Sequence, residues 1–319
     1  MQAVPVFIFM RLVFCLSVLS LFFVSSVKAA DSRTVDTKFG AVTISGEPQR
    51  VVTLYEGALD ASYAVGIKPL GAVITRGGDN VASYLQEQAQ GIALVGTSQE
   101  NNLEAIIALE PDLILAANTL PEQQYRLLST VAPTVASGIG MFDEDAWRQE
   151  ARLFAQALGK SDAMETQLKQ LDQRIAQVKS EVESNIPADQ RTTLLARWMP
   201  QGPVILSKQL FTPRLLNAVG FEVDDHNAVK AGRPHTSPIS QEKLSMLDKD
   251  WLFLATINAE GDDALAQAEK SPAYQRLAVV KNNKVVPVDG QIWTSANGVL
   301  AAHVILDTIE SAITQAQPK

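Results

Sequence analysis

The chain has 319 residues, of which 46% are hydrophobic and 19% charged, so its composition is that of a folded globular protein. Its 27 basic and 35 acidic residues give a formal net charge of −8, which argues against a long basic face for nucleic acid. One Cys and three His exclude a disulfide framework, a Cys-rich zinc module and an iron–sulfur centre.

Residues 1–29 have the features of a secretory signal peptide. Arg11 supplies the basic start, residues 12–24 form an apolar run, and residues 27–29 resemble an A-x-A cleavage site. The alternative is a membrane anchor, but the run is shorter than the ~20 residues that span a bilayer. Cys15 lies inside the run and would leave with the peptide. We expect export to the periplasm, or to the outer face of a Gram-positive cell if an anchor exists.

Short apolar segments then alternate with helical ones as far as residue 136. Gly40 separates two segments, 35–39 and 42–44, that predict a hairpin. The predicted elements that follow are strand 50–54, helix 58–65, strands 69–74 and 92–95, helix 103–109, strand 112–117, helix 123–129 and strand 134–136. This alternation predicts parallel strands and an α/β layer.

The middle segment, residues 144–186, is helical, with Gly159 as its one clear breaker. We predict helices over 147–158 and 162–183. Apolar residues of the second helix recur three and four positions apart, at Leu168, Leu171, Ile175, Val178 and Val182. This helix is either an ordinary surface helix of one lobe or a rigid strut between two lobes, and its place at mid-chain favours the strut.

The second half repeats the rhythm of the first. The predicted elements are strands 193–197 and 204–206, helices 213–219 and 241–247, strands 251–254, 278–280 and 285–288, and helix 296–314. The predicted fold class is α/β, with two Rossmann-like lobes joined by a single long helix and a ligand cleft between the lobes. The predicted divisions are a lobe at 30–143, the linking helix at 144–186 and a second lobe at 187–319.

Motifs for catalysis, phosphate binding and metal binding are missing from the sequence. There is no nucleophile elbow, no P-loop and no dinucleotide-binding glycine pattern, and His226, His235 and His303 are too dispersed for a local zinc pair. A hydrolase that uses Ser237 or Ser98 with His235 stays open as an alternative. We expect no enzyme, no cofactor and no metal site in the protein itself, but a ligand bound between the lobes.

Several blocks of sequence resemble class III periplasmic binding proteins, which serve iron–siderophore, haem and vitamin B12 importers. They lie at 48–54, 95–114, 244–254 and 271–293, and in this order they cover nearly the whole mature chain. The resemblance implies two α/β lobes joined by one long helix. It also implies a monomer that binds a ferric siderophore or ferric citrate as an Fe(III) chelate and delivers it to the permease of an ABC importer.

Details of these blocks are most similar to the ferric-citrate-binding type. Thr97 stands where haem binders typically have a Tyr ligand, which argues against haem, although a haem or cobalamin binder remains the alternative within the family. Ser98 stands where many hydroxamate and citrate binders carry an Arg. The sequence therefore leaves the chemical class of the chelate open.

Candidate ligand residues lie mainly where predicted strands end, since the carboxyl ends of parallel strands meet at one edge. Arginine donates in pairs to carboxylates, and aromatic faces cover apolar parts of a ligand, while the chelator supplies the iron ligands. The candidates are Tyr55, Arg76, Ser98, Arg197, Trp198, Arg233, His235 and Trp293. The alternatives are solvated or ion-paired arginines and tryptophans packed in the core.

Two glutamates near helix starts form a separate pair. We predict that Asn101 caps the helix carrying Glu104 and that Ser240 caps the helix carrying Glu242. An acid in a first turn stabilises its helix by ~0.3–1 kcal/mol, which is a sufficient structural reason for both residues. The resemblance implies a further role, in which each lobe presents one of these carboxylates to arginines of the permease.

Overall fold

In a computed structural model the described residues are 32–316. The predicted signal peptide at 1–29 lies outside them. None of the helices in this range is long and apolar enough to cross a membrane. The described chain opens with the predicted hairpin, in which β1 (Ser32–Thr37) and β2 (Gly40–Ser45) pair antiparallel.

The first sheet forms the N-terminal lobe. Its elements are β3 (Val51–Thr53), α1 (Glu56–Ala64), β4 (Gly71–Ile74), β5 (Ala93–Thr97), α2 (Leu103–Ala108), β6 (Leu113–Ala116), α3 (Glu122–Leu128) and β7 (Thr134–Ala136). The strand order is β5-β4-β3-β6-β7, and every pairing is parallel. A 3-10 helix, Ser83–Leu85, lies between β4 and β5. The central strands β3 and β6 are buried throughout, as expected of parallel strands covered on both faces.

Two helices follow the first sheet. They are α4 (Ala146–Leu158) and α5 (Ser161–Asn185), separated by Gly159 in a left-handed conformation with φ 72°. The segment 144–186 is therefore two helices with a break where the sequence places its breaker. The apolar stripe predicted for the second helix is buried at Leu168, Leu171, Val178 and Val182.

The second sheet forms the C-terminal lobe. Its elements are β8 (Thr192–Arg197), β9 (Val204–Ile205), α6 (Phe211–Ala218), β10 (Glu222–Val223), β11 (Trp251–Thr256), α7 (Ala259–Ala268), α8 (Pro272–Gln275), α9 (Ala278–Lys281), β12 (Val285–Asp289), α10 (Gly290–Thr294) and α11 (Val299–Gln315). Strands β10-β8-β11-β12 are parallel in that order, and β9 pairs antiparallel with β8. Two 3-10 helices, Ala188–Gln190 and Gln241–Leu247, complete the lobe.

One hydrophobic core runs through both lobes. It includes Leu113 of the first sheet, Phe154 of α4, Leu171 of α5, Phe253 of the second sheet and Ile305 of α11. Buried residues of both sheets and of helices α4, α5 and α11 thus belong to one contiguous apolar cluster. The role of the segment 144–186 as a rigid strut stays a prediction.

Three local predictions are wrong. Residues 278–280 were expected to form a strand but belong to α9, whose start is stabilised because Val279 N donates to Asp248 Oδ1 at 2.9 Å. The helix at 241–247 has the predicted bounds and is a 3-10 helix, but the Ser240 side chain does not cap its backbone as predicted. The cap of α2 is Asn102 and not Asn101, since Asn102 Oδ1 accepts from Ala105 N at 3.0 Å.

Candidate functional site

A cavity of about 560 Å³ lies between the two sheets. Its wall includes Tyr55, Arg76, Ser98 and Arg197, which follow or end strands β3, β4, β5 and β8. The cavity therefore opens where the carboxyl ends of the parallel strands face each other, which is the usual ligand position in open α/β sheets. Its volume is within the range of small-molecule sites.

The structure brings six of the eight predicted ligand residues together. The residues that line the cavity are Tyr55, Arg76, Ser98, Arg197, His235 and Trp293. Trp198 does not line it, because its ring is 4% exposed and packs edge-on against Tyr274 at 6.0 Å between centroids. Arg233 is exposed on a loop outside the lining. These two residues lie apart from the site that the other six form.

Arg197 is the buried cation of this site. It is 6% exposed, and its Nη1 donates to Thr294 Oγ1 at 3.4 Å, while its Nη2 contacts Met199 Sδ at 3.9 Å. Its Nε has no hydrogen-bond partner. Burial and the positive charge of Arg76 lower the pKa of Arg197. Its guanidinium therefore sits in the cavity wall without a carboxylate partner among the described residues.

Arg76 lies at the more open side, next to a carboxylate. Glu56, the first residue of α1, accepts from Thr75 Oγ1 at 3.0 Å and from Arg76 N at 3.2 Å. Burial raises the pKa of Glu56, and the hydrogen bonds from Arg76 N and Thr75 Oγ1, followed by the charge of Arg76, partly offset that shift. The Arg76 side chain itself stays exposed at the cavity.

A polar corner of the cavity is formed by Tyr55, Glu150 and Asn297. Tyr55 Oη donates to Glu150 Oε2 at 2.9 Å, and Asn297 Nδ2 lies 2.6 Å from Tyr55 Oη and 3.1 Å from Glu150 Oε2. Glu150 belongs to α4 and is 7% exposed. Burial raises its pKa, although hydrogen bonds from Ser137, Tyr55 and Asn297 oppose that change. The corner joins the first lobe, the linking segment and the second lobe.

Local backbone geometry brings Ser98 to the cavity. Gly96 has a φ of 110°, and a Cβ there would lie 2.3 Å from the carbonyl oxygen of Glu100, so the tight turn after β5 requires glycine. Thr97 Oγ1 accepts from Gln99 N at 3.3 Å and from Glu100 N at 3.1 Å, which closes the turn. The threonine thus has a structural role in the turn itself.

His235 and Trp293 form part of the wall on the second lobe. His235 Nδ1 contacts the Thr236 carbonyl oxygen at 2.7 Å, so this ring nitrogen is not paired with a carboxylate. Trp293 is 2% exposed and stacks on Phe253 at 4.9 Å with an interplanar angle of 17°. Trp293 therefore combines core packing with a place in the cavity lining.

Unsatisfied polar atoms concentrate at this cavity. Among residues 32–316, the buried side-chain polar atoms without a hydrogen-bond partner are Asn101 Oδ1, Arg197 Nε, Ser295 Oγ and Asn297 Oδ1. All four residues line the cavity. Because native proteins rarely leave buried polar atoms unpaired, their clustering marks a place prepared for something other than the protein's own groups.

Several polar residues of the site are not among the sequence candidates. They are Glu56, Asn101, Gln124, Glu150, Ser295 and Asn297. For one of them, the sequence pattern itself indicates a functional role. Glu150 lies on the apolar face of α4 with Trp147, Ala151 and Phe154, and an acid on such a face is unusual.

The two glutamates near helix starts lie outside the cavity lining. Glu104 is exposed in the first turn of α2, and Glu242 is exposed in the first turn of the 3-10 helix Gln241–Leu247. A hydrogen bond from Ser240 lowers the pKa of Glu242. Neither carboxylate forms an ion pair with a cation of the described residues.

Within the described part of the chain, no group of three or more His, Cys, Asp or Glu side chains is arranged to hold a metal ion.

Comparison with known proteins gives concordant matches. Residues 51–292 match the family described as "Periplasmic binding protein". The probable siderophore-binding lipoprotein YfiY of Bacillus subtilis is 30% identical over 90% of this chain and 89% of its own length. The Fe(3+)-citrate-binding protein YfmC of the same organism is 29% identical over 86% of this chain and 84% of its own length.

A solved structure extends these matches to the fold. Staphylococcus aureus SirA, crystallised with staphyloferrin B, superposes with a TM-score of 0.76 at 26% identity, covering 88% of this chain and 98% of SirA. The α/β architecture with its parallel sheets is thus shared along almost the entire length of that protein.

Proposed function

This chain belongs to the periplasmic binding protein family, and from that membership we propose that it captures a ferric siderophore or ferric citrate and delivers it to an ABC importer. The observation that carries the proposal is Arg197, a buried guanidinium in the wall of the cavity between the lobes that has no carboxylate partner within residues 32–316. An anionic chelate would supply the missing acceptor oxygens.

The proposed mechanism is binding without chemical change of the ligand. The chelator holds the iron, Arg197 and Arg76 bind its carboxylates, and Trp293 and Tyr55 cover its less polar parts. The hydrolase alternative needs a carboxylate that orients the histidine, whereas His235 Nδ1 is engaged by a backbone carbonyl. We therefore propose a binding protein and not an enzyme.

Fluorescence titration tests this function. Because Trp293 lies in the cavity wall, stoichiometric ferric citrate should quench the intrinsic emission, and citrate alone should quench it much less. Haem added in parallel should produce no Soret shift. Hydrolysis of ester probes, or a Soret shift without any response to ferric chelates, would replace the proposal with one of its alternatives.

We also propose how the loaded protein meets its transporter. The exposed carboxylates of Glu104 and Glu242, one on each lobe, would dock onto arginines of the permease. The mature protein would act in the periplasm as a monomer after removal of residues 1–29. The docking statement rests on the family membership and on the exposure of the two side chains, and the location and monomeric state rest on the family membership.

A further inference from the structure

Two buried charges of opposite sign in the cavity lack a counter-charge. Arg197 is 6% exposed and Glu150 is 7% exposed, and both line the cavity. Neither belongs to an ion pair among residues 32–316. All three hydrogen-bond partners of Glu150 (Ser137, Tyr55 and Asn297) are neutral.

The other two charges of the cavity behave differently. Glu56 accepts a hydrogen bond from the backbone N–H of Arg76, and the charge of Arg76 acts on its carboxylate. These two side chains form no ion pair among the described residues, but Glu56 is half-buried and Arg76 is exposed, so water also stabilises their charges. Arg197 and Glu150 are the charged residues of the lining that are buried, so a bound ligand would stabilise their charges most.

A purely anionic ligand would compensate the charge of Arg197 but not that of Glu150. Its carboxylates would pair with Arg197, but they would add negative charge to a cavity that already holds the buried carboxylate of Glu150. Burying a charge without a partner is costly, and a like charge nearby raises that cost. A ligand with a cationic group at one end would compensate both side chains at once.

We infer that Glu150 is a subsite for a protonated amine, so that the chelate carried by this protein is zwitterionic, with carboxylates toward Arg197 and an ammonium group toward Glu150. The inference rests on the proposed function and names its ligand class more narrowly. Asn297 Oδ1 and Ser295 Oγ are unpaired on the same wall. Together with Glu150 they offer acceptors for the three N–H donors of an ammonium group.

A matched pair of chelates tests the inference in the unmodified protein. The probes are the ferric complexes of citric acid mono(2-aminoethyl)amide and of its N-acetyl derivative, which differ mainly in one positive charge. We expect the free-amine complex to bind about 10-fold more tightly, as for a charge pair in a partly desolvated site. Affinities are measured by fluorescence titration, with ferric citrate as the reference.

Two variants show which carboxylate causes the tighter binding of the free-amine complex. Glu150→Gln keeps the shape of the side chain and one acceptor oxygen but removes the negative charge, and should bring the ratio of the two affinities close to one. Glu56→Gln removes the other carboxylate of the cavity and should change both affinities by a similar factor, so that the ratio is kept. Thermal melting shows whether each variant is folded, and the comparison of the two probes in the unmodified protein needs no variant.

The outcomes separate the two proposals. Equal affinities, or tighter binding of the acetylated complex, would overturn the amine subsite while leaving the chelate-binding function in place. A preference lost in Glu56→Gln but kept in Glu150→Gln would also overturn it. If neither probe nor ferric citrate binds, the citrate-type ligand of the proposed function is excluded and the subsite fails with it, while capture of another ferric siderophore is tested by titration with that chelate.

Discussion

Strand β8 has an arginine at each end, and the two side chains have opposite surroundings. Arg191, just before the strand, donates from Nε to the Ile186 carbonyl at 2.8 Å and from Nη2 to the Glu183 carbonyl at 3.0 Å. It thereby satisfies carbonyls at the C-terminal end of α5. Arg197, the last residue of the strand, faces the cavity with its Nε unpaired. The same residue type is structural at one end and available to a ligand at the other.

The same contrast separates the helices from the cavity. Arg174 of α5 binds Asp307 at 2.7 Å and Glu310 at 2.5 Å, both on α11, and so fastens the two helices together. Among the described residues, Arg197 and Glu150 of the cavity have no such partner. Between these two helices the charges are paired within the protein, whereas in the cavity we expect the ligand to pair with them.

The largest effect is expected from Arg197→Met, which removes the buried cation and keeps much of its volume. Affinity for ferric citrate should fall about 100- to 1,000-fold, since losing one partner of a buried charge pair costs about 2–5 kcal/mol. The ligand-free variant should be at least as stable as the original protein, because an uncompensated buried charge is gone. Fluorescence titration and thermal melting measure the two effects.

The matched control is Arg191→Met at the other end of β8. It removes the same charge from the protein, so the net electrostatic change is equal. If affinity is unchanged in the control but falls strongly in Arg197→Met, the loss is due to the location of Arg197 in the cavity and not to the change in net charge. Retained affinity in Arg197→Met would remove this residue from the site.

The next largest effect is expected from Asp60, a carboxylate that accepts hydrogen bonds from backbone N–H groups. Asp60 of α1 is fully buried and accepts from Leu300 N at 3.1 Å, from Ala301 N at 2.9 Å and from Tyr84 Oη at 2.9 Å. It thus caps α11 from the other lobe. Burial raises the pKa of Asp60 from 3.8 to about 6 despite these hydrogen bonds. Among residues 32–316 it forms no ion pair with a cationic side chain.

The sign of the pH effect follows from that shift. The folded state holds the proton of Asp60 more tightly than the unfolded state, so the resulting stability is complete below about pH 3.8 and is lost as pH rises through about 6. Asp60→Asn has no such titration. From pH 4 to pH 7 the variant should therefore gain about 2–3 kcal/mol of unfolding free energy relative to the original protein.

Urea unfolding of both proteins across this pH range measures the difference, in which the titrations of all other groups cancel. A difference that stays constant with pH would mean that the backbone donors fully replace the lost hydration of the carboxylate. Asp60 would then be a charge that the protein itself fully stabilises, as Arg174 is by its ion pairs with α11.

A third effect concerns exposed carboxylates that form no ion pair with another described residue. Glu104→Ala combined with Glu242→Ala should lower iron uptake about 10-fold, because docking loses its two charge contacts while ligand affinity is kept. The control pair is Asp162→Ala with Asp189→Ala, which removes two exposed acids from the first turns of other helices. Equal uptake by the two double variants would refute the docking assignment.

Much of the fold could be predicted because its signals are local. The strand at 112–117 is an apolar run that the sheet buries on both faces, and β6 (Leu113–Ala116) lies there. The run Ala278-Val279-Val280 has the same appearance, yet it forms a helix whose first turn is held by Asp248, far away in the chain. A short β-branched run does not carry that information.

The site was predictable where strand ends define it. Arg76 and Arg197 follow from the rule that ligands bind at the carboxyl ends of parallel strands. Asn297 had no comparable signal, because it lies between two helices and reaches the cavity only through the packing of α11 against the first lobe. The sequence predicts Asn101 as a helix cap, but the neighbouring Asn102 fills that role.

The smallest effect is expected from the structural arginine itself. Arg191→Met should lower the unfolding free energy by about 1 kcal/mol, because two carbonyls at the end of α5 lose a charged donor but can turn to water instead. Arg191→Lys should recover part of that loss, since an ammonium group can reach one carbonyl but lacks the planar fork. Denaturant unfolding measures both, with ferric-citrate affinity followed in parallel. If Arg191→Met weakened ligand binding as much as Arg197→Met does, binding would depend on the overall positive charge of the lobe, and the distinction between the two ends of β8 would have no functional meaning.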